Sequence, residues 1–215
     1  MKHLFFILFF SIIIKSISYG QNIHQRLDSL TMNFVKELQL ENIDTICVYK
    51  DYCIGCGKFL KYQEDSITYY CFHDISIYIF WVNQGKTFIN KKDNCFDYST
   101  VEIGSTSLWN IFFTYENQIK MEKVKPFEYL VCKNKKKKVY SISIDHSRHL
   151  NFKIIVDKDI VTMNFDEFDL EKEDNGYLNI NYSHNWNLKS KKIIDELKRL
   201  VSHIEDEKLF TKNRR

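Results

Sequence analysis

"ISIYIFWV", residues 75–82, carries an apolar side chain at almost every position. Successive residues of an extended chain point to opposite sides, so Ile75, Ile77, Ile79 and Trp81 share one face while Tyr78, Phe80 and Val82 fill most of the other. Neither face is suited to water. The segment therefore predicts a central strand of a sheet that is covered on both sides.

Outward from it, "KFLKY", "SITYYCF" and "KTFINK" are short, rich in β-branched and aromatic residues, and separated by "QED", "HD" and "NQG". That rhythm predicts an antiparallel meander, entered from "IDTICVYK" at 43–50 and turned at 83–86 by Gly85, where a tight hairpin needs positive φ. A second run of strands is expected in "KVYSISI", "LNFKIIVD", "DIVTMNF" and "YLNINY". Between the two blocks, "STSLWNIFFTYENQ" has a Ser/Thr start and apolar residues at Leu108, Ile111, Phe112 and Tyr115, which predicts a helix over 107–117. Pro126 bars a regular helix through the segment that follows.

Two further amphipathic patterns flank the strands. Residues 25–39 place Leu27, Leu30, Phe34 and Leu38 at helical steps, and 188–207 carries Leu188, Ile193, Ile194, Leu197, Leu200, Val201 and Ile204 on one stripe. The expected fold is α+β: a largely antiparallel sheet from two strand blocks, 43–91 and 138–182, with N-terminal, middle and C-terminal helices packed on it. The last residues, "TKNRR", are expected to fray.

The chain opens with Lys2 and an apolar stretch, Leu4 to Ile14, interrupted only by Ser11. This is too short to span a bilayer and has the form of a signal-peptide core, with Ser18 and Gly20 small enough for cleavage before Gln21, and Tyr19 as an alternative start. Residues 1–20 are thus expected to be a signal peptide and 21–215 a single exported domain, periplasmic or secreted, with no stable membrane insertion after cleavage. Removing Lys2 and Lys15 from 31 basic residues leaves 29 against 28 acidic ones. So even a balance argues against a nucleic-acid partner, which needs a concentrated basic face.

The chain has no alanine, one proline and six glycines, while Ile, Lys, Asn, Phe and Tyr abound. This suggests an AT-rich coding sequence, and it lowers the diagnostic weight of aromatic content and of Lys/Asn runs. Turns are expected to be written with Asn, Asp, Ser and Lys.

"DYCIGCGKF", residues 51–59, holds the one motif with chemical character. Cys53 and Cys56 at this spacing admit a working dithiol, half of a zinc site, or a stapled loop. A dithiol wants a helix starting at the second sulfur, whereas "KFLKYQED" follows; zinc wants a second close pair, whereas Cys47, Cys71, Cys95 and Cys132 are scattered singly. Six cysteines in an exported chain point instead to a disulfide scaffold, with Cys53 and Cys56 as a disulfide or, alternatively, a redox pair.

"DHSRH", 145–149, reads as a polar hairpin turn rather than a metal site, and the carboxylates of 166–174 read as a solvated acidic turn because no Glu closes a calcium frame. The lysines of "KNKKKK", 133–138, read as a solvated loop offset by that acidic turn. No phosphate loop, nucleophile elbow or zinc-protease motif is present, so no catalytic residue, metal ligand or cofactor is assigned. The expected function is a non-catalytic binding or interaction module for a protein or small ligand. The alternative is a thiol-disulfide oxidoreductase or redox sensor using Cys53 and Cys56.

Overall fold

The computed structural model describes residues 25–214 apart from 54, 65, 66, 74 and 134, so the expected signal peptide lies outside the described residues. The fold is α+β. A mostly antiparallel sheet runs in the order β11-β10-β1-β4-β5-β6-β14, with β7 also on β5. Its strands are β1 (Thr45–Cys53), β4 (Ile75–Asn83), β5 (Lys86–Asp93), β6 (Phe96–Tyr98), β7 (Val101–Ile103), β10 (Arg148–Val156), β11 (Asp159–Asp166) and β14 (Lys212–Arg214).

β4 lies at the centre with both faces covered, as its sequence predicts. Ile75, Ile77, Ile79 and Trp81 join Ile46, Val48 and Ile155 under helix α1, residues 25–40. Tyr78 and Phe80 join Cys47, Tyr49, Phe152 and Phe165 under α2 (Ser107–Met121) and α4 (Lys189–Asp206) on the opposite face. Each fully buried Ile or Phe here contributes roughly 1.5–3 kcal/mol.

The α1 stripe is rotated from the expected one. Leu27, Thr31, Val35 and Leu38 are the buried positions, and the Thr31 hydroxyl satisfies itself by donating to the Leu27 carbonyl at 2.9 Å. α2 and α4 pack together, and α4 borrows its cap from its neighbour. Leu188 offers no capping side chain, so the Glu122 carboxylate, just past α2, accepts from the Lys189 and Ser190 amides at 2.6 and 2.8 Å. At the other end of α2, the Ser107 hydroxyl donates to Glu196 of α4.

The sheet departs from a simple meander in four places. First, β1 pairs directly with β4, with Tyr52 opposite Ile75. The strands β2 (Lys58–Glu64) and β3 (Ile67–His73) therefore leave the sheet as a separate two-stranded hairpin instead of lying between its neighbours. β4, apolar on both faces, buries more on β1 than these mixed strands could, and takes that edge. Second, β8 (Glu128–Lys133) and β9 (Lys136–Ser141) form another separate hairpin, so 145–149 is not a hairpin turn. Third, "YLNINY" is a strand only at β13 (Tyr177–Leu178), paired with β12 (Glu173–Asp174), before the short helix α3 (Tyr182–Trp186). Fourth, Lys212–Arg214 do not fray: β14 pairs with β6 because the short β6 leaves an open edge there.

β6 and β7 are one strand interrupted by a bulge. Between the pairs Lys92 with Asp97 and Ile89 with Val101, β5 contributes two residues and the other strand three. The buried Asn90 fills the gap, donating to the Tyr98 carbonyl at 2.8 Å.

Candidate functional site

The end of the sheet where β1 stops, β10 starts, β4 starts and β5 stops gathers a cluster of polar residues, among them Asp51, Ser76, Asp93, Ser147, Arg148 and His149. It is also the root of the β2–β3 hairpin. Cys53, the last residue of β1, lies opposite Arg148 of β10 and is joined to Cys56 as a disulfide. The turn between them closes with the Cys56 amide donating to the Cys53 carbonyl at 3.4 Å, and Gly55 takes φ +77°. A Cβ on Gly55 would sit 2.5 Å from His146 Nδ1, so the imidazole rests on bare backbone that only glycine leaves open. Cys56 is followed by strand β2, not by a helix whose N-terminus would lower a thiol pKa.

Around this corner the contacts are tightly specified. Arg148 clasps Asp51 with two bonds, Nε to Oδ1 at 2.6 Å and Nη2 to Oδ2 at 2.5 Å, and the pairing holds the guanidinium well above its ordinary pKa. Tyr52 stacks on His149 with ring centres 5.1 Å apart. Ser147, His149 and Asp166 are brought together. The buried Ser147 hydroxyl lies 2.8 Å from Asp166 Oδ2 and 3.3 Å from His149 Nε2, while His149 Nδ1 stands 4.0 Å from the same carboxylate oxygen. Asp166 also accepts from the Phe168 amide at 3.0 Å, capping the 3-10 turn Glu167–Leu170. Asp166 Oδ2 faces both the serine and the histidine, whereas in a nucleophilic triad the acid contacts the histidine alone.

The other strand of the hairpin is anchored by a second disulfide. Cys71 of β3 is joined to Cys95 in the tight β5–β6 turn, across 24 residues of chain. Asp93 organises that turn from full burial. It accepts from the Cys95 and Phe96 amides at 2.7 and 2.8 Å and from the Tyr98 hydroxyl at 2.5 Å, with His73 Nε2 3.7 Å away. Next to it, Glu205 of α4 accepts from Lys91 at 2.7 Å and from Tyr78 at 3.0 Å. Burial raises the phenols of Tyr49, Tyr78 and Tyr98, with neighbouring carboxylates raising them further, so all three remain donors.

Of the remaining cysteines, Cys47 is buried and its thiol is pushed far up by desolvation, whereas Cys132 is exposed on β8. Two concavities lie among the described residues. One of about 330 Å³ lies between α1 and β10–β11, lined by Asp28, Lys50, Asn151 and Asn164; another of about 360 Å³ lies between the 3-10 turn and α4, lined by Glu167, Trp186, Lys191 and Lys198. Of their cations, Lys50 pairs with Asp28, Lys191 with Asp195 and Lys198 with Glu167, while Lys153 lines the first and Lys172 the second as well. Among the described residues, no group of three His, Cys, Asp or Glu converges as a metal site, and no helix is long and apolar enough to cross a membrane.

Sequence reasoning named Cys53 and Cys56 and did not place His146 beside them, nor Asp93 under the second disulfide. Both relations join residues far apart in the chain, with no local pattern to announce them. Comparison of the chain with protein families, with curated proteins and with solved structures finds no match.

Proposed function

We propose that this is an exported, non-catalytic binding module that engages a protein partner through the β2–β3 arm. The observation that carries the reading is the arm itself: an isolated two-stranded hairpin with Phe59 at 73% and Tyr70 at 67% exposure, rooted at both strands by disulfides. Large aromatics held out on a pre-fixed element bind with little ordering penalty, and the outer edge of each strand offers backbone groups to an added strand. Disulfides at the root suit an oxidising compartment. One feature favours the thiol-disulfide alternative, namely His146 against the Cys53–Cys56 turn.

The test is capture from the exported fraction on immobilised protein, comparing the parent with Phe59→Ser/Tyr70→Ser. The double variant should keep the parent's unfolding midpoint and lose the captured partner. Equal capture by the two proteins would remove the arm from the reading.

A further inference from the structure

We infer that the β8–β9 hairpin is a docking element for an anionic phospholipid surface. Lys133, Lys135, Lys136, Lys137 and Lys138 crowd its tip, with Lys133 directly opposite Lys136. Three of the six carboxylates of the acidic turn are engaged elsewhere. Asp166 caps the 3-10 turn, Glu167 pairs with Lys198, and Asp169 accepts from the Phe127 amide at 2.8 Å. Among the described residues no ion pair reaches any of the five lysines. Like charges held together at a tip repel, and a counter-charged surface relieves them.

The same hairpin carries apolar side chains that a solvated loop does not need. Every residue of β9 is exposed, and Leu130 (46%) and Val139 (50%) face each other across the two strands with no core beneath them. Tyr140, 41% exposed, lies on the other face of the hairpin under Lys138, whose ammonium is 5.3 Å from its ring centre. Aliphatic groups beside lysines fit the boundary between lipid headgroups and acyl chains, where Leu and Val enter the apolar layer and lysines reach phosphate. A nucleic acid or acidic glycan would satisfy the lysines and leave Leu130 and Val139 in water. The root is stiff enough to present the hairpin: Asn181 Nδ2 donates to the Pro126 carbonyl and to Glu128, and the Ile180 amide donates to the Glu128 carbonyl at 2.8 Å.

The test is co-sedimentation of the purified protein with vesicles of phosphatidylcholine alone or mixed equally with phosphatidylglycerol. Binding should be confined to the mixed vesicles and fall as salt rises. Each lysine at an anionic surface strengthens binding roughly fivefold, so Lys133→Gln/Lys136→Gln/Lys137→Gln/Lys138→Gln should weaken it roughly 600-fold, while the same four changed to Arg keep it. Leu130→Ser/Val139→Ser should weaken it with all lysines in place. These positions are exposed, so unfolding midpoints should stay with the parent's. Equal binding to both vesicle types would locate the contact in an apolar segment, overturning the inference. So would glutamine variants that still bind, or serine variants that bind the mixed vesicles as the parent does.

Discussion

Replacing Asn185 by alanine should destabilise the protein well beyond what an ordinary polar substitution does. Asn185 is completely buried in α3. Its Oδ1 accepts from the Lys125 amide at 3.0 Å, and its Nδ2 donates to the Lys125 carbonyl at 2.8 Å and the Asp169 carbonyl at 2.9 Å. The Asp169 carbonyl keeps a second donor, Asn179 Nδ2 at 3.0 Å, so alanine strips two backbone groups and not three. A buried backbone group left unpaired costs about 1–3 kcal/mol. Lys125 is an exposed residue, so water reaches this segment and the loss belongs near the lower end, about 2–3 kcal/mol in all. For a chain of this length that corresponds to a drop of roughly 5–10 °C in midpoint. Urea titration followed by circular dichroism, supported by calorimetry, measures it. Asn185→Asp supplies the sign: a carboxylate facing two carbonyls should be worse than alanine at neutral pH and recover as acid protonates it into a donor. A loss below roughly 0.5 kcal/mol for alanine, the range of an unimportant surface change, would refute the latch.

Other outcomes follow from the arm's root and from the site's electrostatics. Gly55→Ala should cost about 1–3 kcal/mol because it places a side chain at positive φ against His146; adding His146→Ala should return only the contact part, measured as a double-mutant cycle in urea. Removing Cys71–Cys95 by serine substitution should cost about 3.5 kcal/mol from the loop it closes, against about 2 kcal/mol for Cys53–Cys56, so the ranking of denaturation midpoints is the test. Asp169 has its pKa raised by desolvation, with the Phe127 amide opposing. A raised folded-state pKa gives stability that is complete below the unfolded value and is lost as pH rises through the folded one. Asp169→Asn keeps the bond to Phe127 and should gain stability relative to the parent on going from acid to neutral pH, which parallel thermal melts detect.

The α+β class was legible because its strongest segments are unambiguous: "ISIYIFWV" admits only a strand buried on both faces, and the stripe of α4 admits only a helix on a sheet. Which strands pair was not legible. β2 and β3 are as short and as rich in β-branched and aromatic residues as strands that join the sheet, and only the competition for the β1 edge sends them out as an arm. Asparagine misled most. In a chain with no alanine and many asparagines, "NINYSHN" looks like compositional noise, yet Asn179, Asn181 and Asn185 are buried and bond to backbone 8 to 60 residues away. Such partners are fixed by the tertiary fold and leave no periodic trace. The Cys53–Cys56 corner was legible in its spacing and its glycine, while the clasp of Asp51 by Arg148 and the imidazole on Gly55 needed β10 to be paired with β1.

Whether that corner clamps a binding arm or exchanges disulfides is decided most directly by insulin reduction with dithiothreitol, run with the parent and with Cys53→Ser/Cys56→Ser. A clamp predicts that insulin precipitates at the uncatalysed rate in the presence of either protein. Acceleration by the parent that disappears in the double variant would contradict it and make Cys53 and Cys56 a catalytic pair.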